Sequence, residues 1–126
     1  MSNIKAEFVH VCEDSIIARN GNISIINIFD HIGVNTLPAL FLKFQVVAGF
    51  RGQKGSYPVV IKVISPENSA IASAEGKADI VQDRGLNRFI STFEQIVFPE
   101  LGVYRVEVSV AGEILESREL RIAMRE

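Results

Sequence analysis

Hydrophobic and polar residues alternate along much of this chain, and they do so most regularly over residues 102–110. The apolar residues at every second position would share one face of an extended strand: Tyr104, Val106, Val108 and Val110. The residues between them, Arg105, Glu107 and Ser109, are polar. Because such a strand buries one face and exposes the other, as strands of antiparallel sheets do, this segment predicts the central strand of a β-sandwich.

Similar short apolar stretches, separated by Gly, Pro or Asn, occur along the whole chain. The further predicted strands are residues 4–12, 22–29, 42–50, 57–64, 70–75, 77–81, 88–98 and 114–123. No stretch has a clean helical period. We therefore expect an all-β fold with little or no helix, an antiparallel Greek-key β-sandwich of about eight strands that is immunoglobulin-like, in one domain over residues 1–126.

Several positions predict local breaks in this pattern. Asn20-Gly21 predicts a hairpin turn, since both residues tolerate positive φ. The polar residues 13–15 predict an interruption after the first strand, and residues 30–33 predict the end of strand 22–29. Within that strand the isoleucines change phase between Ile25 and Ile26, which predicts a β-bulge.

The alternation also predicts which side chains face the core. In residues 42–50 the predicted inner face is Leu42, Phe44, Val46, Ala48 and Phe50. In residues 88–98 one predicted face carries Phe89, Phe93 and Val97, and the other carries Ile90, Ile96 and Phe98. The segments 70–75 and 77–81 are weakly apolar, are separated by Gly76, and are expected to be edge strands.

The passage from Pro99 to Tyr104 has the pattern of a tyrosine corner. In immunoglobulin-like domains a tyrosine at this place donates its hydroxyl back to the chain a few residues upstream. Cys12, however, is the only cysteine, and the chain has no tryptophan. An antibody-type domain is therefore excluded, although the sandwich is not.

The composition of the chain limits which binding partners and which cellular compartment we expect. The chain has 15 acidic and 13 basic residues, and its basic residues form no stripe, so we expect no nucleic-acid partner. Apolar runs such as Val59-Val60-Ile61 are far too short to span a membrane, so we expect no membrane partner. One cysteine and no apolar signal segment in residues 1–5 predict a cytoplasmic protein.

His10 and Cys12 are the residues whose side chains are best suited to metal binding or catalysis. They lie two apart on one predicted strand face, and His31 could complete a metal site or a Cys-His pair if the fold brought it close. Structural zinc needs four ligands, and residues two apart on a strand are about 7 Å apart, too far for direct proton transfer. A half-buried histidine and a buried thiol are the simpler interpretation, so we expect no metal and no catalytic residue.

Other candidate sites are weaker. The acidic pairs Glu113/Glu116, Glu116/Glu119 and Asp79/Asp83 lie on single strands or turns, where they do not form a cleft or a calcium loop. The glycines do not match a dinucleotide fingerprint, so no cofactor is expected.

Four segments resemble a family of small bacterial and phage-associated proteins of unknown function: residues 6–14, 23–32, 37–39 and 43–50. The resemblance covers nearly the whole chain and is densest in the first fifty residues. It implies a compact all-β sandwich and no established activity, substrate or cofactor. No functional residue can be transferred from it.

The favoured functional hypothesis is a non-enzymatic binding or assembly module that binds a protein partner or a second copy of itself. The edge strands within residues 70–81 would offer backbone groups for another chain to extend. The alternative hypothesis is a small metal-dependent or thiol-dependent enzyme or sensor that uses His10, Cys12 and His31. The sequence identifies no small-molecule ligand.

Overall fold

The computed structural model describes residues 3–125, which form nine strands and no helix. The strands are β1 (Ile4–Ile17), β2 (Ile23–Ile28), β3 (His31–Val34), β4 (Ala39–Gly52), β5 (Gly55–Ile64), β6 (Ala70–Ile80), β7 (Gly85–Phe98), β8 (Gly102–Val110) and β9 (Glu113–Met124). The prediction of an all-β chain is confirmed. Within residues 3–125, no helix could cross a membrane.

The strands form two sheets that pack face to face. Sheet A has the order β2-β1-β4-β7, and sheet B has the order β3-β9-β8-β5-β6. All neighbouring strands are antiparallel except β3 and β9, which are parallel. β8 is the middle strand of sheet B, as its alternating sequence predicts.

The core lies between the two sheets and is built from alternate residues of their strands. On β8 the four predicted core residues are all buried, whereas Arg105, Glu107 and Ser109 are half-exposed. The facing strands of sheet A contribute Val9, Val11, Phe44, Val46, Ala48, Phe50, Phe93 and Phe98. Period-two alternation therefore places most of the apolar residues correctly.

The predicted interruption at residues 13–15 is wrong, whereas the predicted end of strand 22–29 is confirmed, since β2 ends at Ile28. β1 continues through residues 13–15, because Asp14 and Ser15 pair in register with Ile26 and Ile25 of β2. The Asn20-Gly21 turn that joins β1 and β2 is confirmed, with the Gly21 N–H donating to the Ala18 carbonyl. Residues 30–33 are not simply the end of a strand, since β3 begins at His31 and pairs with β9 some 90 residues later.

The predicted bulge in β2 is also wrong. The pairing of β1 with β2 keeps one register from Ile17↔Ile23 to Cys12↔Ile28. Asn27 instead has a φ of 54°, and its side-chain amide donates to Glu13 at 3.0 Å. Asn is among the residues that adopt this left-handed conformation most readily.

A second residue with positive φ changes which side chains of β7 face the core. Gln95 has a φ of 53°. Before it Phe93 is buried, and after it Phe98 is buried while Val97 is 49% exposed. Leu42, which occupies the position opposite Gln95 on β4, is 69% exposed although the alternation predicts it inside. The predicted faces of Val97 and Leu42 are therefore wrong, because alternation assumes an extended backbone at every residue.

The segments 70–75 and 77–81 form one strand, β6, which lies at an edge of sheet B as predicted. Gly76 does not interrupt it. A Cβ at Gly76 would come within 2.8 Å of the Phe89 ring, so glycine is needed here for close packing between β6 and β7.

The predicted tyrosine corner is present. The Tyr104 hydroxyl donates to the Glu100 carbonyl at 2.8 Å and accepts the Glu100 N–H at 3.2 Å. The ring is fully buried and packs edge-on against Phe98. Burial raises the pKa of Tyr104, so its hydroxyl stays protonated and able to donate.

We expect Tyr104→Phe to lower the free energy of unfolding by about 1–2 kcal/mol, because it leaves the Glu100 backbone groups without their partner. Tyr57→Phe is the matched control, since its hydroxyl also donates at 2.8 Å to a carbonyl four residues upstream, that of Gln53, but in an exposed position. Urea unfolding of both variants would measure the difference. Equal losses would show that burial of the corner contributes nothing.

Candidate functional site

His10 and Cys12 lie on the outer face of sheet A, the face turned away from sheet B. Their register partners on β4 are Val47 and Gln45. Val47 and Cys12 are fully buried, yet they are not part of the core cluster between the sheets. The outer face of sheet A therefore has an apolar layer of its own.

Aromatic packing covers the centre of this outer face. The rings of Phe8 and His10 are stacked with centroids 5.7 Å apart. The Phe8 ring lies directly over Gly49 of β4, where any Cβ would collide with it. His10 thus packs as part of an apolar surface, as the simpler interpretation of the sequence predicts.

The environment of Cys12 opposes nucleophilic chemistry. Burial raises the pKa of its thiol, and the negative charge of Asp14 raises it further, whereas a backbone hydrogen bond at Asp14 lowers it. Reactive cysteines need the opposite, a depressed pKa and an electropositive, accessible environment. The thiol therefore stays protonated at neutral pH.

The structure does not bring His31 together with His10 and Cys12 as a group. His31 lies in the other sheet, on β3, where it pairs with Arg121 of β9. Within residues 3–125 no three His, Cys, Asp or Glu side chains are grouped so that they could hold a metal ion. The described residues therefore offer no ligand group for the metal-dependent form of the enzyme or sensor hypothesis.

The acidic residues of the predicted pairs have separate local roles. Glu116 accepts a hydrogen bond from Arg118 at 2.6 Å, and Asp83 accepts the Lys54 N–H at 2.9 Å. Glu119 lies opposite Arg105 in the register of β8 with β9. These carboxylates balance nearby cations or cap turns, as expected for a solvated surface.

A concavity of about 800 Å³ lies at one end of the sandwich, and two of its cationic side chains, Lys5 and Arg51, already lie within ion-pair distance of Glu7. Arg51 donates to Glu7 at 2.8 Å and to the Arg84 carbonyl at 2.7 Å. Lys5 also lies within 3.8 Å of Glu7. An anionic ligand would have to displace these contacts, so this concavity is a weak candidate site.

The clearest surface feature is the distribution of exposed apolar side chains. Among residues 3–125, twelve large hydrophobic residues are exposed, and seven of them belong to strands of sheet A: Ile16, Ile17, Ile26, Ile28, Leu40, Leu42 and Val97. Only Ile114 and Met124 belong to sheet B, and the other three lie in connections. Leu40 and Val97 face each other in the β4–β7 ladder and Leu42 lies two residues along, and contiguous exposed apolar side chains of this kind are typical of interaction surfaces.

The outer face of sheet B differs, because polar residues cover it: Lys62, Ser73, Glu75, Lys77, Arg105, Glu107, Ser117, Glu119 and Arg121. Arg105 donates to Glu107 at 3.2 Å on this face. Sheet B therefore follows the usual pattern of an antiparallel sheet with one solvated face, and sheet A does not.

Sequence reasoning missed the apolar surface of sheet A because it placed Leu42 on the inner face and grouped Val97 on one face with Phe89 and Phe93. One signal was present: Ile16-Ile17 and Ile25-Ile26 are adjacent isoleucines, which place apolar side chains on both faces of the β1–β2 hairpin.

The match to a family model covers residues 7–123, and the model is that of a family of unknown function, DUF6941. The chain belongs to this family. The resemblance inferred from the four sequence segments is thereby confirmed, while a bacterial or phage-associated origin stays a prediction. No curated protein matches the sequence.

Solved structures similar to this DUF6941 chain share little sequence with it. The alkylpurine DNA glycosylase AlkC of Pseudomonas fluorescens, bound to DNA containing an abasic site analogue, has 11% identity and a TM-score of 0.60; the match covers 97% of this chain and 31% of the glycosylase. An immunoglobulin-like protein of Pseudomonas aeruginosa has 14% identity and a TM-score of 0.50, with 96% and 97% of the two chains covered.

The CARDB domain of a Pyrococcus furiosus protein, in complex with di-metal ions, has 13% identity and a TM-score of 0.45, with 94% of each chain covered. At such identities a likeness shows the fold alone. The two-sheet architecture and the match to the immunoglobulin-like protein of Pseudomonas aeruginosa confirm the predicted immunoglobulin-like β-sandwich.

We expect the native Cys12 thiol to react with a thiol reagent at pH 8 at least about 100-fold more slowly than in urea, because it is buried and its pKa is raised. Ser117→Cys, which places a thiol at an exposed position of β9, is the control and should react at once. A native Cys12 rate close to that in urea would revive the thiol-dependent alternative. Stoichiometric zinc in the purified protein would revive the metal-dependent one.

Proposed function

We propose that this chain is a non-enzymatic binding or assembly module that self-associates through sheet A. The observation that carries the proposal is the asymmetry between the two sheets. Sheet A exposes large apolar side chains on all four of its strands, whereas the outer face of sheet B is polar. Covering an apolar surface of this kind with another surface lowers the free energy of the protein in water.

The exposed apolar side chains of sheet A would contribute several kcal/mol to association, at about 1.5–3 kcal/mol for each one that is fully buried. Leu40 and Val97 are register neighbours on β4 and β7, and Leu42 lies two residues along from Leu40. Covering even part of this group would offset a substantial share of the entropy that association costs.

The free edge of β6, the route that the sequence favours, is partly occupied. The Asn87 side chain donates to the Asp79 carbonyl of β6 at 3.3 Å, and the Phe89 ring packs over Gly76. Extension of β6 by another chain stays a prediction, and sheet A is the better-supported surface.

We also propose that the partner is protein, in the cytoplasm, and neither nucleic acid nor membrane. The chain has a formal net charge of −2 and a pI of about 5.7, which oppose attraction to phosphate backbones and anionic lipid. The protonated thiol of Cys12 and the placement of His31 in the other sheet favour a module over the enzyme or sensor alternative.

We expect the wild-type protein to show a concentration-dependent mass in size-exclusion chromatography with light scattering. Val97→Lys should weaken this association at least about tenfold, because it places a charge where an apolar side chain would be covered. Ile114→Lys is the control, since Ile114 is 57% exposed and lies on sheet B. It should leave association unchanged.

A wild-type protein that stays monomeric up to millimolar concentration would contradict the proposal. Equal weakening by Val97→Lys and Ile114→Lys would show that sheet A is not the interaction surface. Circular dichroism of each variant would establish that the fold is retained.

A further inference from the structure

β7 is the outer strand of sheet A and its backbone has one unpaired side. It is 14 residues long and pairs only with β4 among the described strands. The other outer strand of sheet A, β2, has six residues, and β3 of sheet B has four. A long edge strand is a template for another strand unless something blocks it.

The neighbouring β6 does not block this edge. It belongs to sheet B, and no ladder joins it to β7. β6 packs closely against β7, and this packing includes the hydrogen bond from the Asn87 side chain to Asp79 and the contact of the Phe89 ring with Gly76. The backbone groups of β7 on the side away from β4 therefore remain available to a new strand.

The sequence of β7 is complementary to itself when reversed about Ser91. Residues at equal distances on either side of Ser91 match in chemistry: Ile90 with Thr92, Phe89 with Phe93, Arg88 with Glu94, Asn87 with Gln95, and Leu86 with Ile96. In an antiparallel pair of identical strands, residues at equal distances from the two-fold axis lie directly opposite each other.

Resting on the self-association proposed above, we propose that two copies of this chain pair antiparallel through β7, with the two-fold axis at Ser91. Sheet A would then continue across both copies. Each matched pair occurs twice, because the interface is isologous. Since Gln95 has a positive φ, the regular ladder would run from Arg88 to Glu94.

The charges on β7 support this register. Arg88 and Glu94 are exposed, and neither forms an ion pair or side-chain hydrogen bond with another residue in the range 3–125. Within one chain they are six residues apart, about 20 Å along the strand, too far to interact. Across the two-fold axis each Arg88 would lie opposite a Glu94, and opposite charges in directly facing positions stabilise antiparallel strands.

The aromatic residues on the inner face of β7 also support pairing about Ser91. Phe93 is stacked on Phe44 with ring centroids 5.2 Å apart, and Phe89 packs edge-on against Phe50. Pairing about Ser91 would place Phe89 of one copy beside Phe93 of the other. The aromatic core would then continue from one copy to the next, and facing aromatic residues are among the favourable cross-strand pairs.

Disulfide trapping tests the register directly. Facing residues of antiparallel strands have Cα atoms about 4.5–5.5 Å apart, within the range that a disulfide spans. We expect a mixture of Arg88→Cys and Glu94→Cys proteins to form a disulfide-linked dimer under mild oxidation. Each variant alone should form little, because identical positions would be about 20 Å apart across the axis. Wild type, with its buried Cys12, controls for the native thiol.

Charge reversal tests the energetics. Arg88→Glu or Glu94→Arg alone should weaken association at least about tenfold in sedimentation velocity, because like charges would then face each other twice. The double variant R88E/E94R should recover wild-type affinity. Lys62→Glu, on the outer face of sheet B, matches the charge change of Arg88→Glu and should have no effect.

The outcomes separate this interface from the broader proposal. A monomeric wild type would overturn both. A wild type that associates while the charge reversals have no effect, or while each cysteine variant links to itself as readily as the mixture does, would overturn the β7 interface and leave self-association through sheet A in place.

Discussion

Each sheet of a sandwich has two faces, and the opposite sheet can cover only one of them. The remaining face, together with the backbone groups of the outer strands, must be solvated by polar side chains, covered, or paired. Sheet B meets this requirement with charged and hydroxyl side chains such as Lys62, Arg105 and Glu107. Sheet A meets it only in part, with its own apolar layer around Val47 and Phe8. The functional proposals follow from this difference.

The same constraint explains the packing of His10 and the raised pKa of the Cys12 thiol. Both lie in the apolar layer of sheet A. His10 stacks on Phe8 there, and Cys12 is buried opposite Gln45. A low-dielectric environment disfavours the thiolate, so the feature that suggests chemistry in the sequence has the opposite electrostatic character in the fold. The function proposed for this chain therefore depends on the surfaces and edges of the sandwich.

The backbone at a few residues controls which side chains form these surfaces. Positive φ at Gln95 accompanies the change of the buried phase on β7, and Leu42 on β4 is exposed at the facing position. Strict alternation places Leu42 and Val97 in the core, and their exposure creates part of the apolar surface of sheet A. Since glutamine has no marked preference for positive φ, local sequence offers no signal for this change.

The sequence by itself determined the all-β class, the alternation that buries β8, the Asn20-Gly21 turn and the Tyr104 corner. These depend on period-two hydrophobicity and local turn chemistry, which residues a few positions apart specify. Only the tertiary structure decided the parallel pairing of β3 with β9, the separation of His31 from Cys12, and the exposure of apolar side chains on sheet A. Each of these depends on contacts between residues far apart in the chain, and a local pattern carries no information about which distant strand will cover it.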